Sequence, residues 1–239
     1  MKVITTVHKA GFDQYGYRWI ESLKNWPVNA EFVMYAEGFM PNDALSVCET
    51  FDAKPTDGVR RLQAFKEKHK AFTAPSWRHD IVRFSNKVFA AYDALYDYDG
   101  IGVWLDADCV TYNPIPQGYI EEQLGDAYFA HFYRPGHYTE TGMWIVDCRH
   151  TAHKAFFDTW IGWFETGAFT QLDEWHDCTT LDATLRLMRD EITTRNLSGE
   201  YGNLMHPMAK ADISRFVDHC KGPRKGTGMS PENVHRAAA

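Results

Sequence analysis

The sequence predicts an α/β protein, a mixed sheet flanked by helices. Over the first hundred residues, apolar runs of strand length alternate with stretches whose apolar residues recur at helical spacing, the pattern of a doubly wound sheet. The run IGVWL at 101–105 is apolar throughout, as suits a strand inside a sheet covered on both faces. Beyond it the order becomes mixed, with two strand-like segments followed by two amphipathic helices.

Residues 2–8, KVITTVH, read as the first strand. A loop containing Gly and Asp follows, then YGYRWIESLKNW, whose Trp19, Ile20, Leu23 and Trp26 fall at helical spacing. EFVMYAE is a second strand, and NDALSVCETF a short helix opened by Asn42. From Trp77 to Tyr96, Ile81, Phe84, Val88, Phe89, Tyr92 and Leu95 share one helical face, and DYDG leads from there into the strand 101–105. After a turn rich in proline (Pro114, Pro116) come a short helix near 118–124 and the strands AYFAHFY and GMWIVD. A helix from about His150 to Glu165 follows, with Trp160 and Trp163 on a core-facing side, and another runs from Thr179 to Arg189. The stretch after Lys221 is rich in Gly, Pro and small residues and reads as irregular, with VHRAAA disordered.

The 239 residues, 44% hydrophobic, suffice for one large domain with a sizeable core, and no linker or repeat divides the chain. Lys and Arg number 25 against 32 Asp and Glu, a net charge of -7 that argues against general binding to duplex nucleic acid. MKVITTVHK is too short and too polar for a signal peptide, and no run approaches the roughly 20 apolar residues that span a bilayer. The expectation is a soluble, cytoplasmic protein with no transmembrane segment. The five cysteines, Cys48, Cys109, Cys148, Cys178 and Cys220, contain no CxxC pair, so they read as buried reduced thiols rather than a disulfide framework or a zinc site.

In an open α/β sheet ligands bind beyond the carboxyl ends of the strands, and there GVWLDADCVTYNP projects Asp106 and Asp108. Two carboxylates one residue apart concentrate negative charge, which costs free energy unless a cation lies beside them. Their hard oxygens select Mg²⁺ or Mn²⁺, ions that bind one or two carboxylates and fill their shell with phosphate oxygens. A diphosphate is the natural partner, and a metal stabilises the charge that develops if it leaves during a reaction. Nucleotide-sugars are substrates of that kind.

The strand with Asp106-Ala-Asp108 and CVTYNPI resembles the DxD segment of GT-A glycosyltransferases, the Rossmann-like nucleotide-diphospho-sugar transferases. A second segment, DHCKGPRKG, reads His219-x-x-Gly222-x-x-Lys225 and is similar to the HxxGxxK element of glycosyltransferase family 8, the group of glycogenin and the lipopolysaccharide galactosyltransferases. The resemblance implies a single GT-A-like domain over 1–239. Its nucleotide-sugar-binding half would be 1–112, and its acceptor half, 113–239, would carry a C-terminal metal- and diphosphate-binding segment. Asp106, Asp108 and His219 would bind Mn²⁺ or Mg²⁺, Asp106 also facing the donor, and Lys225 would contact the diphosphate. Such spacing is chemically sensible, because an imidazole suits Mn²⁺, Gly222 permits close backbone approach and an ammonium neutralises phosphate. Cys220 and Gly226 stand where the family has an aromatic residue and Pro-Trp, so Arg224 is an alternative to Lys225. The implied activity is hexosyl transfer from a nucleotide-sugar, a UDP-sugar, with retention of configuration.

By the same resemblance Thr5, Thr6, Val7 and His8 end the strand that meets the base or ribose, and a basic residue on the helix 77–96 contacts the donor. Arg83 and Lys87 are one turn apart there, with Asn86 nearby, and Lys87 aligns best. Glu140 and Thr141 would lie beside the reacting centre, and EWHDCTTLDATL supplies Glu174, His176, Asp177 and Asp182, with Asp177 or Asp182 binding sugar hydroxyls. Asp177 also reads as a helix cap. An inverting enzyme would need a base from among Asp177, Asp182 and Glu140. Two other readings stand beside this one. WLDADCV also fits the nucleophile loop of haloacid-dehalogenase-like phosphatases, with Asp106 attacking phosphate, although that loop normally opens its domain. A catalytically inactive nucleotide-sugar-binding protein is the other. An EF-hand is excluded, because Thr111 and Gln117 occupy the positions that need Gly and Glu. The acceptor is open among a glycan, a protein, a lipid-linked sugar and a modified nucleic-acid base.

Overall fold

The computed structural model describes residues 1–41, 50–198, 206–226 and 228. Its first strands, β1 (Lys2–His8), β2 (Glu31–Glu37), β3 (Phe51–Pro55) and β4 (Ile101–Leu105), are all parallel, with β1 between β2 and β4 and β3 outside β2. After β5 (Cys109–Thr111), β6 (Phe129–Phe132) and β7 (Glu140–Asp147) return antiparallel to each other, β7 antiparallel to β4, and β8 (Thr194–Asn196) parallel to β6. The seven-stranded sheet therefore runs β3-β2-β1-β4-β7-β6-β8 with β7 alone reversed, while β5 pairs with β9 (Val217–His219) in a separate two-stranded ribbon.

Successive side chains of a strand face opposite sides, so each strand feeds two cores. On one face Val3, Val7, Phe32, Met34, Val103, Leu105, Met143 and Ile145 pack with Trp19, Ile20 and Leu23. These last three lie on a helical stretch built from α1 (Lys9–Gly11), a π turn (Phe12–Gly16), α2 (Tyr17–Ser22) and a 3-10 turn (Leu23–Asn25). On the other face Ile4, Tyr35, Trp104, Phe129, Trp144 and Val146 meet α3 (Arg60–Lys68), α4 (Ile81–Leu95), α6 (His153–Thr166) and α7 (Asp177–Leu187). The short α5 (Tyr119–Leu124) covers the first face. Trp104 and Trp144 are register partners across β4 and β7, stacked at 6.0 Å, and Trp160 of α6 lies edge-on to Trp144 at 5.8 Å. Trp163, by contrast, is only partly buried.

The expected strands at 2–8, 31–37 and 101–105 hold to the residue, and the long helices hold within a few residues at their ends. The helix expected at 42–51 lies outside the described residues, except that Phe51 opens β3. Cys48 and VHRAAA also lie outside them; the other four cysteines are free, Cys178 the least buried. The chain after Lys221 is not irregular throughout, since Gly222–Gly226 forms a 3-10 turn. Among the described residues no helix is long and apolar enough to cross a membrane.

Trp160 is fully buried and donates its indole N–H to Thr180 Oγ1 at 3.1 Å. Trp160→Ala is expected to cost about 3–5 kcal/mol, measured as a lower urea midpoint at unchanged slope.

Candidate active site

Because β1, β2 and β4 run one way and β7 the other, the carboxyl ends of the first three and the start of β7 share one edge of the sheet. His8, Glu37, Asp106 and Glu140 stand there and line a cleft of about 1400 Å³. Asp106 donates its N–H to Gly142 O at 2.8 Å and accepts from Cys109 N–H at 2.8 Å, a tight turn that projects both aspartates at the end of β4.

β5 and β9 bring the distant histidine to this turn. Cys109 pairs with His219 in the ribbon, and Cys220 N–H donates to Asp108 O at 3.0 Å. His219 Nε2 thereby comes within 3.1 Å of Asp108 Oδ1 and 3.8 Å of Asp106 Oδ2. Both ring nitrogens are buried, and neither makes a hydrogen bond. The ring occupies space that only glycine leaves open, since a Cβ on Gly142 would lie 2.1 Å from His219 Cε1.

Lysines face these carboxylates. Lys225 Nζ is 2.9 Å from Asp108 Oδ2 and lies over the Tyr15 ring. Burial pushes the Asp108 carboxyl up, but His219 and Lys225 outweigh it and hold the group well below the usual carboxylate range. Lys87 donates to Asp106 Oδ1 at 2.8 Å and to Thr141 O at 2.6 Å, and sits 3.0 Å from Asp177 Oδ2. Burial pushes this ammonium down, yet Asp106 and Asp177 together raise it beyond its ordinary value. Asp177 is lowered against its own burial by Lys87 and by the Thr141 hydroxyl, which donates at 2.5 Å. Trp104 Nε1 also donates to Asp106 Oδ1, at 2.7 Å, leaving Oδ2 turned toward His219.

Glu140 is almost fully buried and takes two bonds from Lys221, at 2.6 and 2.5 Å, while Arg134 lies 3.4 Å away. Against burial, Lys221 and the nearby His206 and His219 hold its carboxyl far below its normal range. Burial pushes His206 down to about 4. Asp182 accepts from Thr139 N–H at 3.1 Å, and burial raises its carboxyl.

Thr6, His8, Arg83 and Gly222 also line the cleft. Burial, then Arg83 and Lys225, lower the His8 imidazole, which accepts from Gly11 N–H at 3.1 Å. Thr5 does not reach the cleft: it follows Val3 and precedes Val7 on the opposite face of β1 and is fully buried. Lys87 is committed to three acceptors within the protein, whereas Arg83 faces the cleft with no ion-pair partner among the described residues. Arg224 lies outside the cleft lining and donates to Lys221 O. Asp177 is not the cap of α7; His176 is, in a capping box with Thr179. Lys221, Arg134, His206 and Tyr15 join the site without having been singled out in the sequence. Lys221 had a readable signal, since it stands two residues after His219.

Among the described residues, three groups of side chains bring metal-ligating atoms together: Asp108, Cys109 and His219; Glu140, His206 and His219; and His176, Asp177 and Cys178. Burial keeps the Cys109 and Cys178 thiols protonated, so neither offers a thiolate. The carboxylates of Asp108 and Asp106 with the unbonded imidazole of His219 are the donor set that fits Mn²⁺ or Mg²⁺.

No protein-family model and no curated protein sequence matches the chain. Among solved structures, the chain is similar to the glycosyltransferase GlyE of Streptococcus pneumoniae TIGR4, with a TM-score of 0.52 and 14% identity over 82% of this chain and 44% of that one. It is also similar to an active-site mutant of LgtC, with a TM-score of 0.50 and 12% identity over 93% of this chain and 88% of that one. The fold is thus the GT-A type that glycosyltransferases share, and the chain spans less than half the length of GlyE.

Two outcomes follow from the packing of the site. Gly142→Ala is expected to cost about 1–3 kcal/mol by overpacking, and the cost is expected to shrink in a His219→Ala background. Equal costs in the two backgrounds, by urea denaturation, would mean that the ring does not set the requirement. Lys87→Met is expected to cost about 3–5 kcal/mol at neutral pH by leaving the buried Asp177 and the half-buried Asp106 without a cation. The sign with pH follows from Asp177. Its depressed folded value stabilises the wild type above the ordinary carboxylate pKa, and that contribution is lost as pH falls through the folded value, while the variant gains by protonating the stranded carboxylate. The difference between the two proteins should therefore narrow from pH 7 towards about pH 4.

Proposed function

We propose that the protein is a metal-dependent hexosyltransferase that moves a sugar from a UDP-sugar to an acceptor hydroxyl with retention of configuration. The observation that carries the reading is the meeting of Asp108 with the buried, unbonded imidazole of His219 at the carboxyl edge of the sheet. The fold shared with GlyE and LgtC supports it.

A divalent ion held by Asp106, Asp108 and His219 would supply Lewis-acid stabilisation of the departing diphosphate. Lys87 and Trp104 fix Asp106 through Oδ1, which presents Oδ2 to the ion. Lys225 and Arg83 supply positive charge for the diphosphate, Gly222 allows close approach of the backbone, and Thr6 and His8 border the nucleoside. In the transfer, the acceptor oxygen bonds the anomeric carbon as the bond to the diphosphate oxygen breaks. The diphosphate keeps that electron pair, and the hydroxyl proton passes to one of its oxygens. Asp177 and Glu140 are weak bases, because lysines hold them ionised, and they serve as acceptors for sugar hydroxyls. That suits retention, in which no strong base is needed.

With Mn²⁺ present, UDP-glucose or UDP-galactose is expected to raise the melting temperature and to release UDP slowly. Asp108→Ala is expected to remove the metal-dependent part of the shift and to lower UDP release by at least about 100-fold. UDP release that is indifferent to Mn²⁺ and to Asp108→Ala would reject the proposal, and hydrolysis of p-nitrophenyl phosphate without nucleotide-sugar would favour the phosphatase.

A further inference from the structure

The cleft extends past the carboxylates to a wall made of the 3-10 turn Trp77–His79 and the chain leading into α7. Trp77 is 63% exposed, yet its backbone is pinned rather than loose. Trp175 N–H donates to Arg78 O at 2.8 Å, Arg78 donates to Glu174 at 2.6 Å, and the His79 ring lies 3.2 Å from Asp173 O. The indole is thus held on a fixed support at the mouth of the cleft, with the Arg78 guanidinium carbon 5.4 Å from its ring centroid and much of the ring open to solvent.

Behind it the His176 ring lies parallel to the indole at 6.4 Å, and Tyr138 meets that ring edge-on at 5.5 Å. The His176 ring is itself fixed. Its Nδ1 accepts from Thr179 N–H, so Nε2 carries the proton and donates to Glu174 at 2.7 Å. On α7, Asp182 and Arg186 stand one turn apart and line the same cleft, and Arg186 has no ion-pair partner among the described residues. An exposed indole lining the same cleft as a planar acceptor and a planar donor matches a pyranose. The C–H face of the ring covers an indole, and neighbouring hydroxyls satisfy a carboxylate and a guanidinium. The cleft of about 1400 Å³ also exceeds the ~300–1,000 Å³ typical of a single small ligand, which leaves room for a second one.

Building on the glycosyltransferase reading, we propose that this wall is the acceptor subsite and that the acceptor is a carbohydrate, its ring stacked on Trp77 and its hydroxyls held by Asp182 and Arg186. Of the four acceptor classes left open by the sequence, this chemistry recognises the two that present a sugar ring, a glycan and a lipid-linked sugar.

Saturation-transfer NMR with methyl β-galactopyranoside, methyl α-glucopyranoside, lactose and maltose, with and without UDP and Mn²⁺, tests the assignment on the full chain. At least one saccharide is expected to bind the wild type. Trp77→Ala should weaken it about tenfold and Trp77→Phe by less than about threefold, while Val28→Ser, fully exposed and away from the cleft, changes nothing. Thermal stabilisation by UDP and Mn²⁺ in Trp77→Ala reports that the variant is folded. Saccharide binding that is equal in wild type and Trp77→Ala overturns the inference, as does a wild type that binds donor but no saccharide. A wild type that no UDP-sugar stabilises defeats the glycosyltransferase reading separately, and the saccharide titration without nucleotide then decides whether the wall recognises sugars.

Discussion

A ribbon of three residues on each side, Cys109–Thr111 against Val217–His219, is the constraint on which the site rests. The main sheet alone delivers Asp106 and Asp108 to its carboxyl edge, and the imidazole that meets them comes from outside it. Pairing Cys109 with His219 fixes the imidazole opposite the aspartates to within one residue, because a slip of one position would turn the side chain to the other face. The missing side chain of Gly142 then admits the ring. Register and a void specify the same place for one side chain, so each depends on the other.

Around that ribbon the charges are arranged as local neutralisations. Asp106 and Asp177 share Lys87, Asp108 has Lys225, and Glu140 has Lys221. Buried pairs of this kind add little net stability, since desolvation offsets most of the attraction, but they set orientation. Lys87 shows this most clearly. It draws one oxygen of Asp106 inward, where Trp104 also bonds it, and so leaves the other oxygen facing His219. The same ammonium lies 5.1 Å over the Trp104 ring, tying the site to the aromatic core beneath it.

The central strands were legible because their apolar runs are long and uninterrupted, and the aspartate pair because it follows one of them directly. His219 was singled out through the resemblance of His219-x-x-Gly222-x-x-Lys225 to a family element, and the fold brings it to Asp108. β3 was not, since FDAKP carries exposed Asp, Lys and Pro, the composition of a strand at a sheet edge. β5, β8 and β9 are three residues each, too short for periodicity to register. α3 could have been found, because Leu62 and Phe65 mark its buried face. Thr5 was misplaced by treating the end of a strand as a unit, when alternate residues of β1 face opposite cores. The partners of Glu140 escaped for another reason: Arg134, His206 and Lys221 are scattered along the chain, and only the fold gathers them.

The three lysines are not equivalent, and the difference bears on how a charged ligand enters. Lys87 is 9% exposed and held by two carboxylates and a carbonyl, so releasing it would strand buried charge. Lys225 is 30% exposed and Lys221 is 42% exposed, each with a single acidic partner among the described residues. Both sit on or beside the 3-10 turn Gly222–Gly226, which Arg18 clamps to the first helical stretch by donating to Lys225 O and Gly226 O. The clamp holds the backbone, while the side-chain tips border open cleft. An arriving diphosphate would therefore meet the tips of Lys225 and Lys221 at the open cleft, beside a lysine that is enclosed; drawing either tip away would leave the buried Asp108 or Glu140 without its cation, so the ligand adds to these pairs rather than replacing them.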